Sequence, residues 1–129
     1  PLPNPPAGTA ESILSRHHIP MLWVGGALRV RDTVVHDIGA SVDLAPTLLA
    51  QLQLPRSNFR WGRDLLAAGS GGFAYFASND GFAYIDRTGW LVFDERAHRT
   101  LERSAAAGAT HVRSGGALLQ ATFDDYLAR

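Results

Sequence analysis

A chain of 129 residues with 46% hydrophobic content is long enough for one domain with a real core, and too apolar for a disordered segment. Its 12 basic and 12 acidic residues cancel, so no global field draws nucleic acid or an anionic membrane. Cysteine is absent, which excludes disulfides, thiolate metal sites and a thiol nucleophile. All 12 basic residues are arginine and they are scattered, where a phosphate-binding patch would want them clustered.

The chain divides into a lead-in (residues 1–16), a strand-helix segment (17–68) and a meander with a final helix (69–129), all within one domain. The opening PLPNPP is a non-helical connector, because proline fixes φ and biases its predecessor to extended backbone. Starting without methionine, it reads as part of something longer. Neither a signal peptide nor an apolar run of the roughly 18–20 residues that span a bilayer is visible. Thr9 is placed to cap a short helical turn ending near Arg16.

Residues 19–24 (IPMLWV) are apolar at every position, the pattern of a strand buried on both faces. Gly25 and Gly26 end it, and residues 33–38 (TVVHDI) predict a second, shorter strand. Asp43 predicts a helix N-cap, with Pro46 in the first turn, where its missing donor costs nothing. Leu44, Leu48, Leu49 and Leu52 fall at helical spacing, so this face is expected to pack inward, and Pro55 stops the helix.

From Phe73 the period becomes two. Strands are predicted at 73–78, 82–86, 90–94 and 99–103, with turns at Asn79-Asp80-Gly81 and Arg87-Thr88-Gly89. The Asp-Gly pair is expected to supply the positive φ of a tight hairpin. The aromatic residues of this meander read as core. Residues 105–116 read as a small-residue loop, and Ser114 or Gly115 as the start of a last helix carrying Leu118, Leu119, Phe123, Tyr126 and Leu127.

Residue chemistry alone yields few sites. His17 and His18 precede the apolar strand, where imidazoles either sit in solvent or reach a metal or phosphate. The usual crevice lies at the other end of such strands, which favours solvent. His36, Asp37 and Asp43 could form an acid/base or metal cluster, but Asp43 has the competing role of cap. Arg60 and Arg63 could pair with Asp64 or receive phosphate. GSGG at 69–72 has neither the lysine nor the helix of a phosphate loop, and no Gly-x-Ser-x-Gly elbow occurs.

The combination of Ile19-Pro20, the run Asp43 to Leu49 (DLAPTLL), Gly62 to Leu65 (GRDL) and the later FAYFASNDGFAYIDRTGWLVFD resembles the region after the catalytic core in sulfatase-like proteins of the alkaline phosphatase superfamily. Lipoteichoic acid synthase-type phosphoglycerol transferases are the nearest in flavour. The resemblance implies an α/β fold class: a fragment of an alkaline phosphatase-like α/β/α sandwich with a small C-terminal antiparallel sheet and a terminal helix. It implies a parent enzyme in which a Thr, Ser or formylglycine nucleophile sits on a divalent metal (Mn, Mg, Ca or Zn) and takes up a phosphoryl or sulfuryl group.

The Asp-His-Gly ligand motif of that family is missing here, so no catalytic or metal residue carries over. His17 and His18 are left as the substrate-contact candidates. The upstream core is the implied partner, and membrane attachment outside the cytoplasm comes only through upstream spans. Against this stands a stand-alone binding module derived from the family, whose exposed apolar surface would be covered by forming a homo-oligomer. A nucleic-acid binder fits poorly, because charge balances and the aromatics alternate like core residues.

Overall fold

The computed structural model describes residues 10–26, 28–69 and 72–129, residues 10–13 by backbone alone. The Pro-rich lead-in and the Thr9 cap lie outside the described residues. The chain is mixed α/β: a short helix α1 (Ala10–His17), a helix α2 (Leu44–Gln51), strands β1 (Phe73–Ser78), β2 (Gly81–Asp86), β3 (Trp90–Asp94) and β4 (Arg99–Arg103), and a long helix α3 (Ala109–Leu127). The strands form one antiparallel sheet in the order β1-β2-β3-β4, the meander that the alternating pattern predicts.

Register puts alternate residues on two faces. Phe82 lies opposite Phe93, and Tyr84 lies between Tyr75 and Leu91, so these side chains share one face. That face meets α3: Phe82 and Leu91 are fully buried with Ala107, and Val112 and Leu119 pack against them. Full burial of each large side chain contributes about 1.5–3 kcal/mol. On the reverse face Ala83 and Val92 are buried beneath Phe76, Ile85, Trp90 and Leu14 of α1. The aromatic meander is therefore core, as its period indicates.

Four local expectations fail. The turn at residues 79–80 closes without positive φ; among described residues other than glycine only Asp32, Gln53 and His98 adopt it. Helix α3 starts at Ala109, not at Ser114 or Gly115, and runs straight through the glycine pair. Gly115 is there for close approach: a Cβ on it would overlap the Phe82 ring. Packing against Phe82 supplies what the weak helix propensity of glycine withholds.

The third failure is larger. Residues 19–24 and 33–38 form no strand. Ile19 is 76% exposed, Leu22 86% and Val24 83%. A strand exists only when its N–H and C=O groups find a neighbour, and no described strand pairs with either segment. Helix α2 is also turned from its expected orientation. It buries Pro46, Thr47 and Gln51, while Leu44, Leu48 and Leu52 are exposed.

Candidate functional site

Among the described residues two polar clusters are built around buried side chains, one around Asp43 and Thr47 and the other around His111. In the first, Asp43 stands at the junction of a 3₁₀ turn (Ser41–Asp43) and α2. It occupies the predicted N-cap position, yet its carboxylate makes no cap bond to α2. Oδ2 instead accepts the Ala40 N–H at 2.8 Å and the Arg63 Nη2 donor at 3.0 Å, while Oδ1 accepts the Arg63 N–H at 2.7 Å. Arg63 also donates to the Phe73 carbonyl at 2.6 Å and lies over the Phe73 ring, 4.1 Å from its centroid.

One turn along α2, Thr47 Oγ1 donates to the Asp43 carbonyl at 2.6 Å and accepts the Leu65 N–H at 3.0 Å. Gly62 leaves room for this contact, since a Cβ there would overlap the Val42 carbonyl oxygen. The runs 43–49 and 62–65, read as separate motifs in the sequence, are thus two halves of one clamp. It joins α2 to the following loop and, through Arg63, to the start of β1. Arg63 pairs with Asp43 and leaves Asp64 to Arg56 at 3.0 Å. Arg60, with the Trp61 indole N–H, engages Asp125 of α3 at 2.8 and 3.0 Å.

The second cluster was not singled out from the sequence. Asp86 ends β2, Thr88 sits in the following turn and His111 lies in the first turn of α3, 6% exposed. His111 Nε2 is 3.2 Å from Asp86 Oδ1 and 3.1 Å from Thr88 Oγ1, and the Thr88 hydroxyl donates to the same carboxylate oxygen at 2.6 Å. Nδ1 lies 3.4 Å from the Gly108 N–H. One ring nitrogen faces both partners. A nucleophile-base-orienter relay needs a different nitrogen for each, so this constellation ties hairpin to helix and is no relay. The only sequence signal for it was the Asp-x-Thr-Gly turn.

Burial alone would raise the Asp86 carboxyl. The Thr88 hydroxyl, the Thr88 and Gly89 N–H groups and the neighbouring His111 outweigh it and hold the group below its ordinary 3.8. Asp125 is likewise lowered, first by the Trp61 hydrogen bond and then by Arg129. A carboxylate with a depressed folded pKa stabilises the fold above its unfolded pKa, and that stability is lost as pH falls through the folded value. The thermal midpoint should therefore hold on the neutral side and fall as pH drops below 3.8. Asp86→Asn should flatten that fall in a pH series of melts.

Tyr75 has a buried hydroxyl with no partner among the described residues, and burial, then Glu95, pushes its phenol up to about 12. Removing an unsatisfied buried hydroxyl is neutral or favourable. Tyr75→Phe should raise stability by as much as about 1 kcal/mol in urea unfolding.

The predicted candidates are not brought together. His17 closes α1 with its ring stacked on Phe76, centroids 3.8 Å apart, and His18 follows it at the exposed surface. His36 is exposed, and Asp37 pairs with Arg87 across to the β2–β3 turn. Among the described residues no three His, Asp or Glu side chains converge as a metal site requires. The divalent metal implied for a parent enzyme finds no ligand set in them. No described helix is long and apolar enough to cross a membrane. No protein family, characterised protein or solved structure matches the chain.

Proposed function

We propose that this chain is the C-terminal part of a metal-dependent sulfatase-like hydrolase or phosphoglycerol-type transferase acting on sulfate or phosphate esters. In this reading it supports the active site and carries none of the reacting groups. The observation that carries the reading is the clamp. The two runs on which the resemblance rests, 43–49 and 62–65, are interlocked through Asp43–Arg63 and Thr47–Leu65. Residues held together for packing are what a supporting segment needs.

The exposed Ile19, Met21, Leu22 and Val24 and the outward leucines of α2 add to this. They present the apolar surface that an upstream sheet of an alkaline phosphatase-like sandwich would cover. The metal, its Asp-His-Gly ligands and the nucleophile would belong to that upstream core, as would any membrane anchor holding the enzyme outside the cytoplasm. His17 and His18 would be the residues of this segment nearest the substrate.

Purified chain should hydrolyse neither phosphodiesters nor sulfate esters with Mn, Mg, Ca or Zn. The coding sequence upstream of Pro1 should contain Asp-His-Gly and a Thr, Ser or Cys nucleophile. Metal-dependent turnover by the chain alone would sink the supporting role, and an upstream region without those motifs would sink the family.

A further inference from the structure

We infer that β1 is an open pairing edge that joins two copies of this chain into one continuous sheet. This rests on the edge chemistry of the sheet and stands apart from the proposed enzyme. The two outer strands are built differently. β4 reads RTLER, with Arg99, Glu102 and Arg103 along it, and the ladder beside it is broken by a register shift at Val92/Phe93. Charges and a bulge are the devices by which natural sheets close an edge. β1 reads FAYFAS, with no charge, no proline and a register against β2 that is unbroken from Phe73 to Ser78.

The hydrogen-bond pattern says which groups point outward. Asp86 exchanges both main-chain bonds with Gly89, at 2.8 and 3.3 Å, so Asp86, Tyr84 and Phe82 turn theirs toward β3. Their partners on β1, namely Phe73, Tyr75 and Ala77, therefore direct N–H and C=O away from β2. The Phe73 carbonyl is taken by Arg63. No described residue pairs with the main chain of Tyr75 or Ala77 along this edge.

Those two residues set the register. Antiparallel pairing of β1 with itself can place Tyr75 opposite Ala77 of the second copy and Ala77 opposite its Tyr75. This makes two hydrogen-bonded pairs around a two-fold axis and leaves Arg63 on Phe73. Shifting the axis to Tyr75 would set Phe73 opposite Ala77 and compete with Arg63. In the favoured register Phe76 meets Phe76 across the axis, a cross-strand aromatic pair, and no charge is buried. An isologous contact of this kind closes at two copies, and the charged, bulged β4 edge does not extend it.

Sedimentation equilibrium of the full chain should show a concentration-dependent dimer. Ala77→Pro removes an outward donor at an exposed position and should weaken the dimer about tenfold or more, whereas Leu101→Lys on β4 should leave it unchanged. Because proline can also disturb the hairpin, a second readout uses the absence of cysteine. The register sets Ala74 opposite Ser78 of the second copy at a Cα separation of about 4.5 Å, within disulfide reach. Ala74→Cys and Ser78→Cys chains should cross-link as a mixed pair on oxidation, and neither should cross-link alone. A monomer at every concentration, a dimer indifferent to Ala77→Pro, or a mixture that forms no mixed disulfide would each overturn the inference.

Discussion

Asp43→Ala should cost about 3–5 kcal/mol of unfolding free energy. The carboxylate is 1% exposed and holds three donors, the Ala40 N–H, the Arg63 N–H and the Arg63 guanidinium. Truncation leaves two main-chain donors unsatisfied and the Arg63 charge, 24% exposed, over the Phe73 ring without its counter-charge. For a domain whose whole stability is about 5–15 kcal/mol, that loss is a large fraction.

Asp43→Asn keeps an oxygen for one donor and should fall between wild type and alanine. The double change Asp43→Leu with Arg63→Met should be milder than the sum of its singles, because no charge is then stranded. Urea unfolding of the four proteins measures the coupling. An Asp43→Ala chain within about 0.5 kcal/mol of wild type would show that the clamp holds nothing.

Gly115→Ala should destabilise by about 1–3 kcal/mol. The sign is the informative part. In the middle of a 19-residue helix, propensity alone makes glycine to alanine a gain of roughly 1 kcal/mol. Here the added methyl would overlap Phe82, which is 1% exposed and packed against Phe93, Tyr75 and α3. The ring has nowhere to move, so α3 must lift from the sheet. Gly116 is the control, since its nearest neighbour would be Glu95 Oε1 at 3.9 Å, and Gly116→Ala should follow propensity and stabilise. Thermal melts of the two variants should move in opposite directions.

The parts of the fold that were legible share one property. Strands β1 to β4 are specified by alternation and by turn residues lying within a few positions of one another, so the sequence around each contains its own instruction. The start of α2 at Asp43 was legible for the same reason, although the carboxylate serves a different partner from the one expected of a cap. The Asp86–Thr88–His111 knot was not legible, because Asp86 and His111 are 25 positions apart and meet only when α3 docks on β2.

Sequence alone thus determined the antiparallel meander and its aromatic core. Tertiary structure decided which face of α2 is buried. The polar face carrying Thr47 and Gln51 wins over the leucines because its groups find partners in the Arg63–Leu65 loop and in the Arg29 N–H, and a satisfied polar contact fixes orientation. It also decided that α3 runs through Gly115, because Phe82 needs the space. Tertiary structure left residues 19–24 without strand structure as well. Apolarity marks a segment for burial, but only a neighbouring strand can satisfy its backbone and make it a strand.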